Sequence, residues 1–200
     1  MTSHYFTDEK PSGIETTFTL RYGGGELRFT SGAGVFSHGE ADRHSLFLIN
    51  NVKPQKGADL LDLGCGYGLI GITLARGFDI NLTMSDVTEK AVSYAEKNAA
   101  QNGVNAAVVK SDGFEKIAKN FDIITLNPPI HAGKDVCYRL YEESAAHLKT
   151  GGKFYIVIAD KHGAKSHLKK LNEIFDSVMI TAKKGGVNIF ECDKPKGGQI

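Results

Sequence analysis

Residues 60–68 read LLDLGCGYG and decide the fold. The first four residues are apolar apart from Asp62, which is typical of a short buried strand. Three glycines at alternate positions follow, and residues 69–76 then have the pattern of a helix. Glycines at such a junction let the backbone approach a ligand closely, and the helix N terminus presents unpaired N–H groups. The stretch therefore predicts a ligand-binding loop between a strand and a helix, with a tight turn that binds nothing as the alternative.

Strand-like and helix-like segments alternate along the chain around this unit. The predicted strands are 59–63, 80–85, 106–110, 121–126 and 154–159, and the predicted helices are 69–76, 89–102, 114–118, 134–148 and 164–175, with Gly151 and Gly152 stopping the fourth helix. Two more strands, 177–182 and 187–191, are joined through Gly185 and Gly186, which indicates a hairpin. We therefore expect an α/β fold with a doubly wound, mostly parallel sheet that ends in an antiparallel hairpin.

The first 55 residues form a separate extension in this interpretation. Alternating segments at 14–22 and 26–30 flank Gly23–Gly25 and predict a β-hairpin, and residues 40–52 predict a helix before Pro54. We expect residues 1–55 to lie on the substrate side of a ligand-binding domain over 56–200.

The composition excludes several classes of protein. With 41% hydrophobic and 24% charged residues, the chain is neither disordered nor fibrous, and no run approaches the roughly 18 apolar residues of a membrane span. Basic residues (24) nearly balance acidic ones (23), although residues 151–200 are basic. Cys65, Cys137 and Cys192 suit neither a disulfide framework nor a metal site, so we expect a cytoplasmic protein without metal or membrane attachment.

Two ligands suit the glycine loop. Gly66 to Gly71 is a literal G-x-G-x-x-G, the dinucleotide pattern of a nicotinamide dehydrogenase, with Asp86 20 residues after Gly66. Residues 62–68 instead give the acidic-x-G-x-G-x-G pattern of enzymes that use S-adenosylmethionine (SAM). Asp62 would repel a pyrophosphate but would stabilise the sulfonium and ammonium groups of SAM, directly or through water, by roughly 4 kcal/mol at 4 Å and an effective dielectric of about 20. The charge of Asp62 therefore favours SAM.

Polar residues also follow the next strands. Asp86, which precedes Val87, is expected to accept from the ribose hydroxyls, and Asp112, after Ser111, from the adenine amine; a helix cap is the alternative for each. The predicted cofactor residues are Asp62, Gly64, Cys65, Gly66, Gly68, Asp86, Val87, Ser111, Asp112 and Asn127.

The tetrapeptide Asn127-Pro128-Pro129-Ile130 follows the fourth strand. Two prolines remove two backbone donors, so carbonyl groups can point unpaired into a cleft. If the Asn127 side-chain oxygen and the Pro128 carbonyl each accept one N–H of an exocyclic amine, the nitrogen lone pair is aimed at the methyl group without a general base. We therefore predict that these four residues are catalytic, with a rigid turn as the alternative.

Together these motifs resemble the small-domain family of class I SAM-dependent methyltransferases, which includes bacterial ribosomal RNA guanine-N2 methyltransferases. The matching segments are His4–Phe6, Gly34–Ser37, Asp59–Ile72, Ser85–Val87, Asn98–Gly103, Ser111–Asp112, Asn127–Lys134 and Leu148–Gly152. The resemblance implies a Rossmann-like sheet of seven strands, SAM as cofactor and the target amine at Asn127 and Pro128. It further implies guanine N2 of 16S ribosomal RNA as acceptor, and ribosomal RNA or the small ribosomal subunit as partner.

Two residues depart from the family pattern. Many relatives have an aromatic residue at the position of Ile130, able to stack on a flipped base, so that stacking here would need another ring, such as Phe36 or Tyr138. His44 stands where the family usually has glycine.

Other acceptors stay open at this level. A protein glutamine, a small molecule, or a non-catalytic role as a SAM-binding RNA assembly factor are the alternatives to ribosomal RNA methylation. For RNA, the candidate contacts are His131, His162, Lys161, Lys165, Lys169, Lys170, Lys183, Lys184, Lys194 and Lys196, although lysines of this kind often form only a solvated face.

Overall fold

The computed structural model describes residues 15–32 and 40–196. Its strands are β1 (Thr16–Tyr22), β2 (Gly25–Ser31), β3 (Asp59–Leu63), β4 (Asn81–Asp86), β5 (Ala106–Lys110), β6 (Phe121–Leu126), β7 (Leu148–Ala159), β8 (Phe175–Lys184) and β9 (Val187–Pro195). The helices are α1 (Arg43–Asn51), α2 (Leu69–Gly77), α3 (Glu89–Gln101), α4 (Lys134–Ala146) and α5 (Ala164–Ile174). The motifs at His4–Phe6 and Gly34–Ser37, including Phe36, lie outside the described residues.

A seven-stranded sheet forms the centre of the molecule. The strand order is β5-β4-β3-β6-β7-β9-β8, and β9 runs in the direction opposite to the other six strands of this sheet. This arrangement confirms the expected doubly wound sheet that ends in a hairpin.

Helices cover both faces of the sheet because its central strands are apolar on both sides. Leu60 belongs to a core that it shares with α1, α2 and α3, whereas Leu61, the next residue of β3, packs into a second core with α4 and α5. Such burial on both faces explains why the central strands read as almost continuous apolar runs.

The β1–β2 hairpin packs on the first of these faces. Leu27 and Phe29 of β2 belong to the same core as α1 to α3. The fully buried Asn98 of α3 accepts the Thr30 N–H at 2.9 Å and donates to the Thr30 carbonyl at 2.9 Å and to the Tyr67 carbonyl at 2.8 Å. One side chain therefore ties the hairpin to α3 and to the glycine loop.

Two local predictions are wrong. The predicted helix at 114–118 is a turn, in which the Ser111 hydroxyl accepts the Lys116 N–H and so competes with helical bonding. The helix predicted over 134–148 ends at Ala146, and Gly151 and Gly152 lie inside β7 instead of stopping α4. They lie in a bulge of β7 opposite the start of β6, where a Cβ on Gly152 would come within 2.9 Å of the Phe121 carbonyl oxygen.

An ion-pair network joins the amino ends of the central strands. Asp59, at the start of β3, accepts from Lys119 and Lys149 at 2.6 Å each, and Lys149 also contacts Asp122 at 2.8 Å. These hydrogen bonds lower the pKa of Asp59 from 3.8 to about 2. Because this carboxylate is ionised more readily in the fold than in the unfolded chain, it stabilises the fold above pH 4, and that contribution is lost as the pH falls towards 2.

We expect Asp59→Asn to lower the free energy of unfolding by about 2 kcal/mol at pH 7. This figure follows because each unit by which folding lowers the pKa of Asp59 corresponds to about 1.4 kcal/mol of stability. Urea unfolding at pH 7 and at pH 2.5 measures the effect, which should shrink markedly at the lower pH. An equal loss at both values would show that the ion pairs do not set the stability of this edge.

Candidate functional site

The carboxyl ends of four neighbouring strands bring the predicted motifs to one edge of the sheet. Leu63 of β3 lies opposite Leu126 of β6 and Ser85 of β4, so the segments that follow these strands emerge side by side. One cleft is lined by Gly64–Gly66, Asp86–Val87, Ser111–Asp112 and Asn127–Ile130. Ligands bind at this edge of open α/β sheets, beside the point where strand order reverses. Of the predicted site residues, Asp62 and Gly68 do not line the cleft.

The glycine loop is shaped by positive φ angles and held by Asp86. Gly64 and Gly66 have φ of 65° and 56°, in the left-handed region that favours glycine. One oxygen of the Asp86 carboxylate accepts the Gly66 N–H at 3.0 Å, and the other accepts the Thr88 N–H at 3.0 Å. The N-cap of α3 is Thr88 and not Asp86, since the Thr88 hydroxyl accepts the Ala91 N–H. Asp86 therefore fixes the loop while its carboxylate borders the cleft.

Asp62 lies behind the loop. Its carboxylate is 1% exposed and accepts from the Gly71 N–H at 2.9 Å and from the Thr125 hydroxyl at 3.3 Å. A Cβ on Gly71 would come within 3.1 Å of the Asp62 Cβ, so this glycine lets α2 pack closely against β3. Asp62 thus orients the first turn of α2, and its predicted contact with the cofactor stays a prediction.

Asp112 is held by an arginine that the sequence reasoning missed. Arg139 of α4 donates to Asp112 at 2.5 Å and to Glu143, one helical turn later, at 2.9 Å. The spacing of Arg139 and Glu143 is visible in the sequence, but their approach to Asp112 depends on how α4 packs against the turn that follows β5. Ser111 is buried, and its hydroxyl donates to the Gly113 carbonyl, so its side chain shapes the turn.

The amide group of Asn127 is fixed by residues from the N-terminal extension. Its nitrogen donates to the Asp42 carboxylate and to the Ser45 hydroxyl, each at 3.0 Å. Asp42 is also the N-cap of α1, because the same carboxylate oxygen accepts the Ser45 N–H at 2.7 Å. Both donors of the amide are therefore used, and among residues 15–32 and 40–196 no donor makes a hydrogen bond to its oxygen. We name these three residues the Asn127 clamp.

The two prolines form a tight turn. The Pro128 carbonyl accepts the Ile130 N–H at 2.8 Å, and Pro129 has φ −75° and ψ 72°, the geometry of an inverse γ-turn. The Pro129 carbonyl accepts the Ala132 N–H at 2.9 Å. The expectation that these carbonyls are unpaired is wrong, because a turn this tight closes on itself. A carbonyl has two lone pairs, so Pro128 can still accept a second donor.

The far side of the cleft is lined by histidines. His44, His131 and His162 all border it, next to Ile130. Tyr138, predicted as a possible stacking ring, is not among the lining residues. Its hydroxyl donates to the Ser166 carbonyl at 3.4 Å, and its ring contacts Tyr141, so the structure gives it a packing role.

In the part of the chain that the structure describes, no three His, Cys, Asp or Glu side chains are grouped to hold a metal ion. No helix among those residues has the length and apolar character needed to cross a membrane.

The burial of Asp62 gives a testable pH dependence. Desolvation is the main cause that raises its pKa from 3.8 to about 7. A carboxyl group whose pKa is raised by folding disfavours the fold once it ionises, so the fold loses stability between about pH 4 and pH 7. Asp62→Asn removes this ionisation. The free energy of unfolding of the variant minus that of the wild type should therefore increase by up to about 4 kcal/mol from pH 4 to pH 8. Urea unfolding of both proteins across this range measures the effect; parallel pH profiles would contradict it.

The family model described as Methyltransferase small domain matches residues 26–191. An uncharacterized protein of Bacillus subtilis, YbxB, is 43% identical over 201 residues, which cover 97% of this chain and 100% of that protein. The ribosomal RNA small subunit methyltransferase C of Pseudomonas aeruginosa is 37% identical over 70% of this chain and 44% of its own length.

Among solved structures, the chain is similar to a T. thermophilus 16S rRNA N2 G1207 methyltransferase in complex with AdoMet and guanosine. The TM-score is 0.82 at 28% identity, over 90% of this chain and 51% of that one. The chain therefore spans about half the length of the named ribosomal RNA methyltransferases that it matches. The matches confirm the family expected from the sequence and, with it, SAM as the family's methyl donor. This chain belongs to the methyltransferase small domain family.

Proposed function

We propose that this protein transfers a methyl group from SAM to an exocyclic amine, and that the amine is guanine N2 of ribosomal RNA. The observation that carries the proposal is the Asn127 clamp. Because Asp42 and Ser45 take both amide hydrogens of Asn127, the side chain offers the cleft only an oxygen. A site that presents an acceptor at this point suits a substrate that brings an N–H.

The cofactor side of the cleft fits SAM. The Asp86 carboxylate, at the carboxyl end of β4, borders the cleft and can accept from the ribose hydroxyls. Asp112 borders the position expected for adenine, and half of its side chain is exposed despite its pairing with Arg139. The backbone at Gly64 and Gly66 leaves room for close approach. When bound there, SAM supplies an electrophilic methyl group on a positively charged sulfur.

The acceptor side fits a primary amine better than a hydroxyl. The Asn127 oxygen and the free lone pair of the Pro128 carbonyl are two acceptors, and Pro128 and Pro129 bring no N–H of their own. An amine has two hydrogens to give them, whereas a hydroxyl has one. Holding both N–H groups directs the nitrogen lone pair and stabilises the positive charge that grows on it during transfer. No general base is needed before the transfer.

Several features support ribosomal RNA as the acceptor. One similar protein is named ribosomal RNA small subunit methyltransferase C, and another, named a 16S rRNA N2 G1207 methyltransferase, was solved with AdoMet and guanosine. Exposed lysines, among them Lys161 and Lys165, extend from the histidine side of the cleft onto α5 and can contact phosphates. We also place the protein in the cytoplasm, where its three free, buried cysteines would stay reduced.

The primary amide of a protein glutamine also carries two N–H groups, so the assay must include protein. We would measure transfer of a radiolabelled methyl group to 30S particles, to naked 16S ribosomal RNA and to a ribosome-free protein extract. We expect label in one or both RNA substrates. Label in protein alone would overturn the choice of acceptor, and calorimetry showing tight binding of NAD but none of SAM would overturn methyl transfer itself.

Removal of the Asn127 amide should abolish most of the activity. We expect Asn127→Ala to lower kcat by about 100-fold or more, in line with the loss of one group that stabilises developing charge. Calorimetry with SAM measures separately any loss of cofactor affinity, because Asn127 is also among the predicted cofactor residues. Asn172→Ala, on the surface of α5, is the matched control and should keep full activity. Unchanged turnover in Asn127→Ala would contradict the proposed acceptor role.

The contact between Asp42 and Asn127 can be separated from the helix cap. Asp42→Ser keeps a side-chain cap for α1, but serine is too short to hold the Asn127 amide as well, so kcat should fall by roughly 10-fold with little loss of stability. Asp42→Asn keeps an acceptor oxygen and should recover most of the activity. Asp79→Ser, at an exposed ion pair with Lys56, is the control. Equal activity in all three variants would show that the clamp does not position Asn127.

A further inference from the structure

Ile130, three residues after Asn127, gives the acceptor side of the cleft an aliphatic side chain where an aromatic ring could stack on a base. An isoleucine gives only apolar contact, whereas an unstacked base is usually held against a planar side chain. Tyr138 does not fill this role, because it faces Ser166 and Tyr141. Tyr67 also lines the cleft, but it is buried and its ring packs against Phe18 and Phe29. The other described rings that line the cleft are those of His44, His131 and His162.

The three histidines come from different parts of the chain and meet at the cleft. His44 lies in the first turn of α1, His131 in the turn after Pro129, and His162 in the turn after β7. The ring centroid of His162 is 6.2 Å from that of His44 and 6.3 Å from that of His131, with interplanar angles of 75° and 66°. The neighbouring rings are therefore not stacked face to face on that of His162.

The surroundings of His162 favour a neutral ring. Burial lowers its pKa, and the nearby positive or protonatable groups lower it further. The groups that face it are Lys161 on its own turn, His44 on α1, His131 after β6 and His167 on α5, with Lys134 of α4 beside His167. A neutral imidazole among such neighbours is a weak partner for a phosphate but keeps a planar face for a base.

We propose that His44, His131 and His162 surround the acceptor base in an arrangement here called the histidine platform. The base stacks on the ring face of His162, which supplies the planar contact that Ile130 lacks, while the rings of His44 and His131, inclined to it by 75° and 66°, border the base. The ligand is a purine ring placed with its exocyclic amine at Asn127. This inference rests on the proposed function, since it assumes a nucleobase acceptor. It assigns the three histidines to substrate recognition and leaves the transfer step to the Asn127 clamp.

The direct test is proton NMR of the wild-type protein with guanosine, in the presence of S-adenosylhomocysteine. A purine that stacks on an imidazole shifts the ring protons of the imidazole upfield, so the C–H signals of His162 should move upfield. His147 lies outside the cleft against Phe114, and its signals should not move. Inorganic phosphate is the second probe. Shifts of His162 with phosphate alone, or no shift with guanosine, would overturn the platform.

Variants of His162 separate a ring from a charge in the methylation assay. His162→Ala should raise the KM for RNA by roughly 10-fold, the effect of losing one base–aromatic stack, with kcat and SAM affinity nearly unchanged. His162→Phe keeps a planar ring and should restore the KM, whereas His162→Lys keeps only a positive charge and should not. His147→Gln is the control. Rescue by lysine and not by phenylalanine would replace stacking with a phosphate contact.

The two proposals fail in distinguishable ways. If the wild-type protein methylates RNA and Asn127→Ala is inactive, but the His162 variants and the NMR signals show no effect, the histidine platform is wrong and the proposed function stands. If the wild-type protein methylates no RNA, the proposed function fails, while guanosine-dependent shifts still show whether the platform binds a purine.

Discussion

Parallel pairing of β3 with β6 at the centre of the sheet is the constraint on which the site depends. Leu63 lies opposite Leu126, so the glycine loop and Asn127 leave the sheet as neighbours although they are more than 60 residues apart in the chain. The pairing is stabilised by apolar residues that are buried on both faces, such as Leu60 and Leu61. The core therefore holds the glycine loop and Asn127 side by side, at the edge where open α/β sheets bind ligands.

The N-terminal extension completes this site. Asn98 holds β2 against α3 and the carbonyl of Tyr67 in the glycine loop, and Asp42 at the start of α1 holds the amide of Asn127. The contacts of Asn98 hold the glycine loop on the cofactor side of the cleft, and the contact of Asp42 holds Asn127 on the acceptor side. The extension therefore does more than cover the sheet, because it fixes the direction in which the Asn127 oxygen points.

Local patterns were enough to predict the fold and most of the cleft. The strand bounds 106–110 and 121–126 match the structure, and the motif ends meet because parallel strands share one edge. Contacts set by distant packing could not be predicted. Asp42 reaches Asn127 across 85 positions, and the strong desolvation of Asp62 depends on how closely α2 packs at Gly71. From the sequence, Gly152 was predicted to end a helix. In the fold it is required because the Phe121 carbonyl of β6 leaves no room for a Cβ at this position.

Product identification tests the central claim most directly. Ribosomal RNA and 30S particles would be treated with the protein and SAM that carries a deuterated methyl group, digested to nucleosides and analysed by mass spectrometry. We predict the label on N2 of guanosine, and its absence when Asn127→Ala replaces the wild-type protein. Label on a ribose hydroxyl, on a ring nitrogen or only on protein would contradict the proposal that Asn127 and Pro128 hold the exocyclic amine of a guanine.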